Sequence, residues 1–443
     1  MLRRLAARDP LYYPLLLDSA ATGPLSRVSL LLAAPSAALW LDREGRLAAH
    51  RMTPRGTGFL AALEHWWRSE RTPAEASDAG TSSFAGGWAV FLGYELAREI
   101  EPNLILPPTP LPWQAFALRT HGALLLDLET GRVSALAEEP AVLGRLVADA
   151  REAAGEPAPE VELRIEAVRE EDPAAYLSRV HRAQEYVRAG DIYQANLSRP
   201  WDVSLGAAQG PAVAAALYAR LCAANPAPFA ALAQWQGISI LSSSPERLVR
   251  VEGRRVDTRP IAGTRPRSRD PAREPREMRE LAAHPKERAE HIMLIDLERN
   301  DLGRVCEPGS VRVDELMIIE SYQHVHHIVS NVCGLLRSEV TPLGAVRAVF
   351  PGGTITGCPK FRCMQIIAEL EGEGRGAYTG SLGYLTRDGR IDLNILIRTM
   401  TLRANALTFR AGAGIVADSD PERELEETRA KARGLLAALE RSP

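Results

Sequence analysis

The C-terminal stretch Pro421-Glu-Arg-Glu-Leu-Glu-Glu-Thr-Arg-Ala-Lys431 has to serve two faces at once. Leu425, Ala432, Leu435, Leu436 and Leu439 recur at helical spacing and form a face to bury. Glu424, Glu427 and Lys431 stand at i, i+3 and i+7, one side of the same helix, which is predicted over about Pro421 to Leu439. Such a helix must lie on a core while keeping its acids together elsewhere. Upstream, Lys286-Glu-Arg-Ala-Glu290 repeats the i, i+3 spacing with Glu287 and Glu290. Two helices that each offer a carboxylate pair can hold a hard divalent cation, and Mg²⁺ prefers oxygen ligands and keeps positions open for an anion. The same spacing suits a solvated face with weak ion pairs, so the acids alone leave both readings open.

Helices and strands alternate without a strict βαβ rhythm, which predicts an α+β chain. Val28 to Leu32, Gly122 to Leu128 and Gly86-Gly-Trp-Ala-Val-Phe-Leu-Gly-Tyr94 read as strands, the last one buried. Pro73 to Ser83 reads as an exposed loop. Ala153 to Glu162 reads as a linker, which divides the chain into residues 1–152 and 163–443. Asp172 to Ala189 reads as a helix with Asp172 as N-cap and Pro173 at N1. Ile192 to Ser198, Trp235 to Leu241, Leu248 to Val251, His327 to Val332, Gly380 to Leu385, Ile391 to Met400 and Leu407 to Ala413 are strand candidates. Glu274 to Asn300 is a helical stretch with a break expected at its prolines.

A net charge of −3 over 443 residues carries no basic excess and predicts no nucleic-acid partner. No apolar run is long enough to span a bilayer, so no membrane association is expected. The five cysteines are scattered, with no Cys-x-x-Cys pair, which fits free thiols in a reducing cytoplasm.

Pro351-Gly-Gly-Thr-Ile-Thr-Gly-Cys-Pro-Lys360 is a Gly-rich turn feeding a helix, with Pro359 near N1. Free N–H groups there suit a carboxylate or phosphate, and Thr354 and Thr356 add hydroxyls; a plain capped turn is the other reading. Arg410-Ala-Gly-Ala-Gly-Ile415 adds a second glycine-lined backbone. In His324-Val-His-His327 adjacent residues face opposite ways on a strand, so the three cannot share one ion. His327 is a candidate for a substrate hydrogen bond or proton transfer.

Together these segments resemble the chorismate-utilising enzymes, which include the large subunits of anthranilate synthase and aminodeoxychorismate synthase and, as cousins, isochorismate and salicylate synthases. The resemblance rests on Ser244-Pro-Glu-Arg247, Arg259-Pro-Ile-Ala-Gly-Thr-Arg265, Lys286 to His291, Asp296 to Arg304, Gly353 to Lys360, Ile397-Arg-Thr399, Ala411 to Ile415 and Glu424 to Lys431. It is strong over Asp172 to Leu439 and weak over the first 150 or so residues. It implies an α+β fold of two large packed, mostly antiparallel sheets flanked by helices. It also implies Mg²⁺ as cofactor and chorismate as substrate. Glu290 and Glu427 then resemble direct metal ligands, and Glu287 and Glu424 their partners through bound water or proton transfer. Arg398, the Gly414 amide and Tyr378 resemble contacts at the enolpyruvyl carboxylate. Thr354 and His327 resemble ring-side contacts, and Lys431 a lysine near the metal-bound carboxylate.

Gln194 stands where the water-using cousins carry a lysine base, and glutamine cannot deprotonate water. The resemblance therefore implies ammonia as nucleophile. No Gly-x-Cys-x-Gly glutaminase motif occurs, so ammonia is expected from a separate glutamine amidotransferase subunit. The pattern Gly352-Gly-Thr-Ile-Thr-Gly, together with Asp392 to Arg398, favours an aminodeoxychorismate synthase of the folate pathway, a transaminase-class enzyme. Pro260-Ile-Ala-Gly-Thr264 carries Ala262 where many such enzymes have a nucleophilic lysine, and there it resembles anthranilate synthase, the alternative; Lys360 is a speculative replacement for that lysine. A non-catalytic chorismate-binding regulatory subunit is a third reading. Leu17-Asp18-Ser19 and Asn225-Pro-Ala-Pro-Phe229 loosely match the edges of a tryptophan pocket, so tryptophan bound in the N-terminal half is a further expectation.

Overall fold

The computed structural model describes residues 1–21, 23, 25, 27–73, 84, 86–155, 161, 163–206, 210–267, 285–322 and 325–440, excepting the side chains of 264–266 and 285–287. The expected loop over 74–83, most of the expected linker and the first part of the 274–300 stretch lie outside these residues.

Every pairing between the described strands is antiparallel, and the ladders form two arms that diverge from the long strand Trp113–Asp127. One arm passes through Val28–Asp42, Leu15–Asp18, the hairpin Phe229–Trp235 with Ile238–Ser244, Thr399–Arg403, Ala406–Ile415 and Gln194–Leu205. The other passes through Gly87–Leu92, Ser381–Thr386, Ile391–Asn394, Arg247–Glu252, Arg255–Arg259 and Val325–Leu335. Strands from both sides of the 153–162 region thus pair directly.

Period-2 alternation builds the layers. On Trp113–Asp127, Phe116 and Leu118 enter an inner core with Phe91, Ile240 and Leu382. Their neighbours Ala115 and Ala117 face a second core with Trp88, Val90 and the Phe59–Glu70 helix. A third core lies under the helices Leu2–Arg8, Pro211–Ala224 and Pro421–Ala437. The inner core joins the two arms face to face, and the other two are roofed by helices: an α+β protein of packed antiparallel sheets, as expected. Edge-to-face contacts such as Phe91–Trp113, with ring centroids 4.9 Å apart, tighten the inner layer.

The Pro173–Arg188 helix starts as its sequence dictates: the Asp172 carboxylate accepts from the Ala174 amide at 3.0 Å, and Pro173 opens the first turn. Pro285 likewise stands at the first position of the Pro285–Gly303 helix. The segment Ile391 to Met400 is not one strand. It divides into Ile391–Asn394 and Thr399–Arg403 because Arg398 takes a left-handed φ of +50°.

The deepest polar link is at Glu371, whose side chain is 1% exposed. It accepts from the Ser198 amide and hydroxyl at 2.8 and 2.9 Å, from Arg375 Nη2 at 2.6 Å and Nε at 2.9 Å, and from Arg410 Nη2 at 3.2 Å. Burial alone would push this carboxyl up, but Arg375 and Arg410 hold it down to about 2. A lowered folded value means that this stabilisation is complete above the ordinary value of 4.5 and fades as pH falls toward about 2. Glu371→Gln leaves the buried Arg375 guanidinium without its counter-charge and Arg410 with only the half-exposed Glu373. It is expected to destabilise the fold by about 3–5 kcal/mol in denaturant titration at neutral pH; a loss under about 1 kcal/mol would contradict the role given to this network.

Candidate active site

A cavity opens where the two arms separate. Its wall takes Asn196 and Gly412 from the first arm, and Glu246, Ala262 and His327 from the second. Arg398 reaches it from the left-handed connection between them, Thr354 from the turn Gly353–Ile355, and Lys431 from the C-terminal helix. Residues predicted from five separate segments (His327, Thr354, Tyr378, Arg398 and Lys431) therefore share one chamber.

The electrostatics are those of an anion site with one acid. The half-buried Arg398 guanidinium forms no hydrogen bond or ion pair among the described residues; burial lowers its pKa, and the neighbouring Glu246 partly restores it. Lys431 Nζ donates to the Gly412 carbonyl at 2.9 Å and pairs with Glu427 Oε1 at 2.8 Å. His327 is 1% exposed, and burial, with Arg398 beside it, pushes its ring down to about 3. It is neutral across the physiological range and can donate or accept a hydrogen bond, but it is not a cation there. Burial raises the Tyr378 phenol to about 12, so it remains a donor.

Glu246, inside Ser244-Pro-Glu-Arg247, lines the cavity although no spacing in the sequence singles it out. Only 4% of it is exposed, and burial raises its carboxyl to about 8. The Thr354 hydroxyl lies beside it, and the Ile261 amide donates to its Oε1 at 3.4 Å. A carboxyl that keeps its proton at neutral pH, facing a cavity lined with cations, is equipped to protonate a leaving oxygen.

Gln194 and Gly414 lie on paired strands, two residues from the cavity-lining Asn196 and Gly412; a Cβ at Gly414 would come within 2.2 Å of Gln194 Nε2, so a side chain there would push the Gln194 amide aside. The Gln194 carbonyl oxygen is buried without a hydrogen-bond partner among the described residues, and so is Asn196 Oδ1. Two unused acceptors at the cavity edge suit a ligand with N–H or O–H groups.

Of the predicted metal acids, Glu424 is 7% exposed on the C-terminal helix, one turn from Glu427, and both act on the Tyr176 hydroxyl. Glu290 is half-buried on the Pro285–Gly303 helix, and the Glu287 side chain lies outside the described residues, as does His324. Among the described residues Glu290, Glu424 and Glu427 do not form a closed group of ligand atoms within 4.8 Å; Asp257, Asp314 and Cys333 do. That second group is already satisfied by Arg255 and Asn331. The acids on the two helices fit Mg²⁺ by donor chemistry, being all oxygen, with Lys431 balancing Glu427. Lys360 does not face the cavity as a spare amine: its Nζ is bound by Asp301 and the Val349 carbonyl. The Glu246 carboxyl is expected to give a protonated-carboxyl infrared band at pH 7 that is missing in Glu246→Gln and fades as pH rises through about 8; no difference between the two proteins at pH 7 would overturn its acid state.

The chain matches the family model for chorismate binding enzymes over residues 30–437. It is 44% identical over 366 residues to an anthranilate synthase component I-like protein of Synechocystis sp., covering 81% of this chain and 73% of that one. It is 42% identical over 414 residues to anthranilate synthase component 1 of Streptomyces coelicolor, covering 88% and 79%. The crystal structure of anthranilate synthase component I from Streptococcus pneumoniae superposes with a TM-score of 0.80 at 28% identity, covering 94% and 93% of the two chains. A menaquinone-specific isochorismate synthase from Escherichia coli shares the fold, with a TM-score of 0.68 at 19% identity over 99% of this chain and 100% of that one. These relatives favour the alternative named from the sequence, anthranilate synthase, over the aminodeoxychorismate reading. With the motif set, the sheet architecture and the cavity in agreement, the chain belongs to the chorismate-binding enzyme family.

Proposed function

We propose that this protein is the chorismate-aminating subunit of an anthranilate synthase. The observation that carries the reading is the buried Glu246 sharing one cavity with Arg398 and Lys431, with Ala262 standing where aminodeoxychorismate synthases often carry a nucleophilic lysine. Support comes also from the relatives, which bear the anthranilate synthase name over most of their length.

Chorismate carries two carboxylates, and the cavity offers Arg398 for one and Lys431 near the other. Glu290, Glu424 and Glu427, with Glu287, would hold Mg²⁺, which when bound neutralises a substrate carboxylate and makes the ring more electrophilic. Glu246 gives its proton to the departing ring hydroxyl, which leaves as water. Neutral ammonia needs no base before it attacks; Gln194 accepts one of its N–H bonds and orients the lone pair. His327 and Thr354 hold the ring by neutral hydrogen bonds. Loss of the ring proton beside the new amine, with cleavage of the enolpyruvyl C–O bond and uptake of a proton by the departing enol to give pyruvate, then yields anthranilate. Ammonia would come from a separate glutamine amidotransferase subunit. The turn Gly352-Gly-Thr-Ile-Thr-Gly supports a second reading, aminodeoxychorismate as product.

Chromatography of products from chorismate, ammonium and Mg²⁺ tests the reading. Fluorescent anthranilate is expected, lost on chelation and reduced by about 10²–10⁴-fold in Glu246→Gln. A product that yields p-aminobenzoate only after a lyase is added would replace this reading with the second. A second cavity, of about 710 Å³, lies between Leu17, Asp18 and Ser19 of the N-terminal half and Phe229, Arg247 and Asp392 of the C-terminal half. That volume lies within the usual range for small-molecule sites. We assign it to tryptophan, which is expected to bind and inhibit amination; a calorimetric titration without heat of binding would remove the assignment.

A further inference from the structure

We propose that Glu298 is a positioning residue for the reaction: it anchors the turn that carries Thr354 and keeps the Glu246 carboxyl in its acid form. The inference rests on the acid role given to Glu246 above and names the residue that sustains it.

Glu298 is 5% exposed, on the face of the Pro285–Gly303 helix turned toward the turn Gly353–Ile355. The Gly353 backbone amide lies beside it and favours its ionised form. The turn Gly353–Ile355 is pressed so closely on this helix that a Cβ at Gly353 would meet Leu297 Cδ2 at 2.5 Å and Glu298 Oε1 at 3.2 Å. The next residue is Thr354, whose hydroxyl lies beside Glu246. The turn is closed from its other side by Thr356 Oγ1, which donates to the Gly352 carbonyl at 2.8 Å. Glu298 thus fixes the start of a three-residue path that ends at the catalytic acid.

Charge acts along the same path. No cation is in ion-pair contact with Glu298 among the described residues; the nearby Lys360 is bound to Asp301, one turn further along the helix. The groups facing Glu298 are Asp301 on its own helix, Lys360 from the Lys360–Glu371 helix, Thr258 from the Arg255–Arg259 strand and the Gly353 amide. Those facing Glu246 are Thr354, the Ile261 amide, Glu298, Lys431 and Arg398. Two buried carboxyls that act on each other cannot both ionise cheaply. Burial and Asp301 raise the Glu298 carboxyl, and burial raises Glu246 with Glu298 acting in the same direction. A negative charge at Glu298 opposes ionisation of Glu246 and so favours the protonated form that a proton donor requires.

Glu298→Gln tests this, because the amide keeps a carbonyl acceptor for Gly353 and removes only the charge. The readouts are the pH titration of the Glu246 infrared band and the basic limb of kcat/KM. Both are expected to move to lower pH by about half a unit or more, while Glu298→Asp, which keeps the charge, leaves them in place. A basic limb and a band that do not move in Glu298→Gln overturn the proposal, even where the wild-type band establishes Glu246 as an acid. Loss of the band from the wild-type protein would instead overturn the acid role itself. Should Glu298→Gln fail to fold, Glu298→Asp against Glu298→Asn makes the same comparison at one side-chain length, with the same shift expected and the same absence of shift decisive.

Discussion

Charge neutralisation around Glu371 holds the active-site end of this protein together. One carboxylate, excluded from water, gathers a strand through Ser198, its own helix, the following loop through Arg375 and a second strand through Arg410. Arg410 also lines the cavity, and Arg375 donates to the Ile355 and Asn196 carbonyls, on the segments that carry Thr354 and Gln194. Removing two charges from water is costly unless geometry and hydrogen bonds are both good. Here each carboxylate oxygen accepts more than one donor, so the structure that satisfies Glu371 is also the one that sets the cavity wall.

Against that fixed wall the site divides its work by burial. Arg398 offers its guanidinium to anions, His327 is kept neutral, and Glu246 is held toward its protonated form. The last two states are not set by residue type. They follow from how much water each group has lost and which charges lie beside it, which is why one small chamber can hold a base-like residue that does not ionise and an acid that does not dissociate.

The sequence disclosed those parts of the fold whose physics is local. Asp172 and Pro173 announce a helix start, and the run after Gly86 is apolar at every position because both faces of that strand are buried. The Pro211–Ala224 helix has Pro211 at its start but no side-chain cap, and it buries Val213, Leu217, Tyr218 and Leu221 within a run that is apolar nearly throughout, so its period is blurred. The division of Ile391 to Met400 was likewise hidden, since nothing in Ile-Leu-Ile-Arg marks a left-handed residue; that conformation is imposed by pairing on both sides. For the site, residue identity and motif order were enough to bring His327, Thr354, Tyr378, Arg398 and Lys431 together. Glu246 was visible inside Ser244-Pro-Glu-Arg247, but its importance depends on desolvation, which no spacing rule reports.

The left-handed backbone at Arg398 restricts what evolution can do with this chamber. A β-branched side chain is strongly disfavoured at φ near +50°, and most others are strained there. Replacing the arginine to welcome a neutral or cationic substrate would therefore favour Gly, Asn or Asp, none of which fills the space that a guanidinium leaves. Descendants that drift toward new chemistry keep this anchor and diversify at positions such as Ala262 and Gln194, which lie on strands without left-handed backbone.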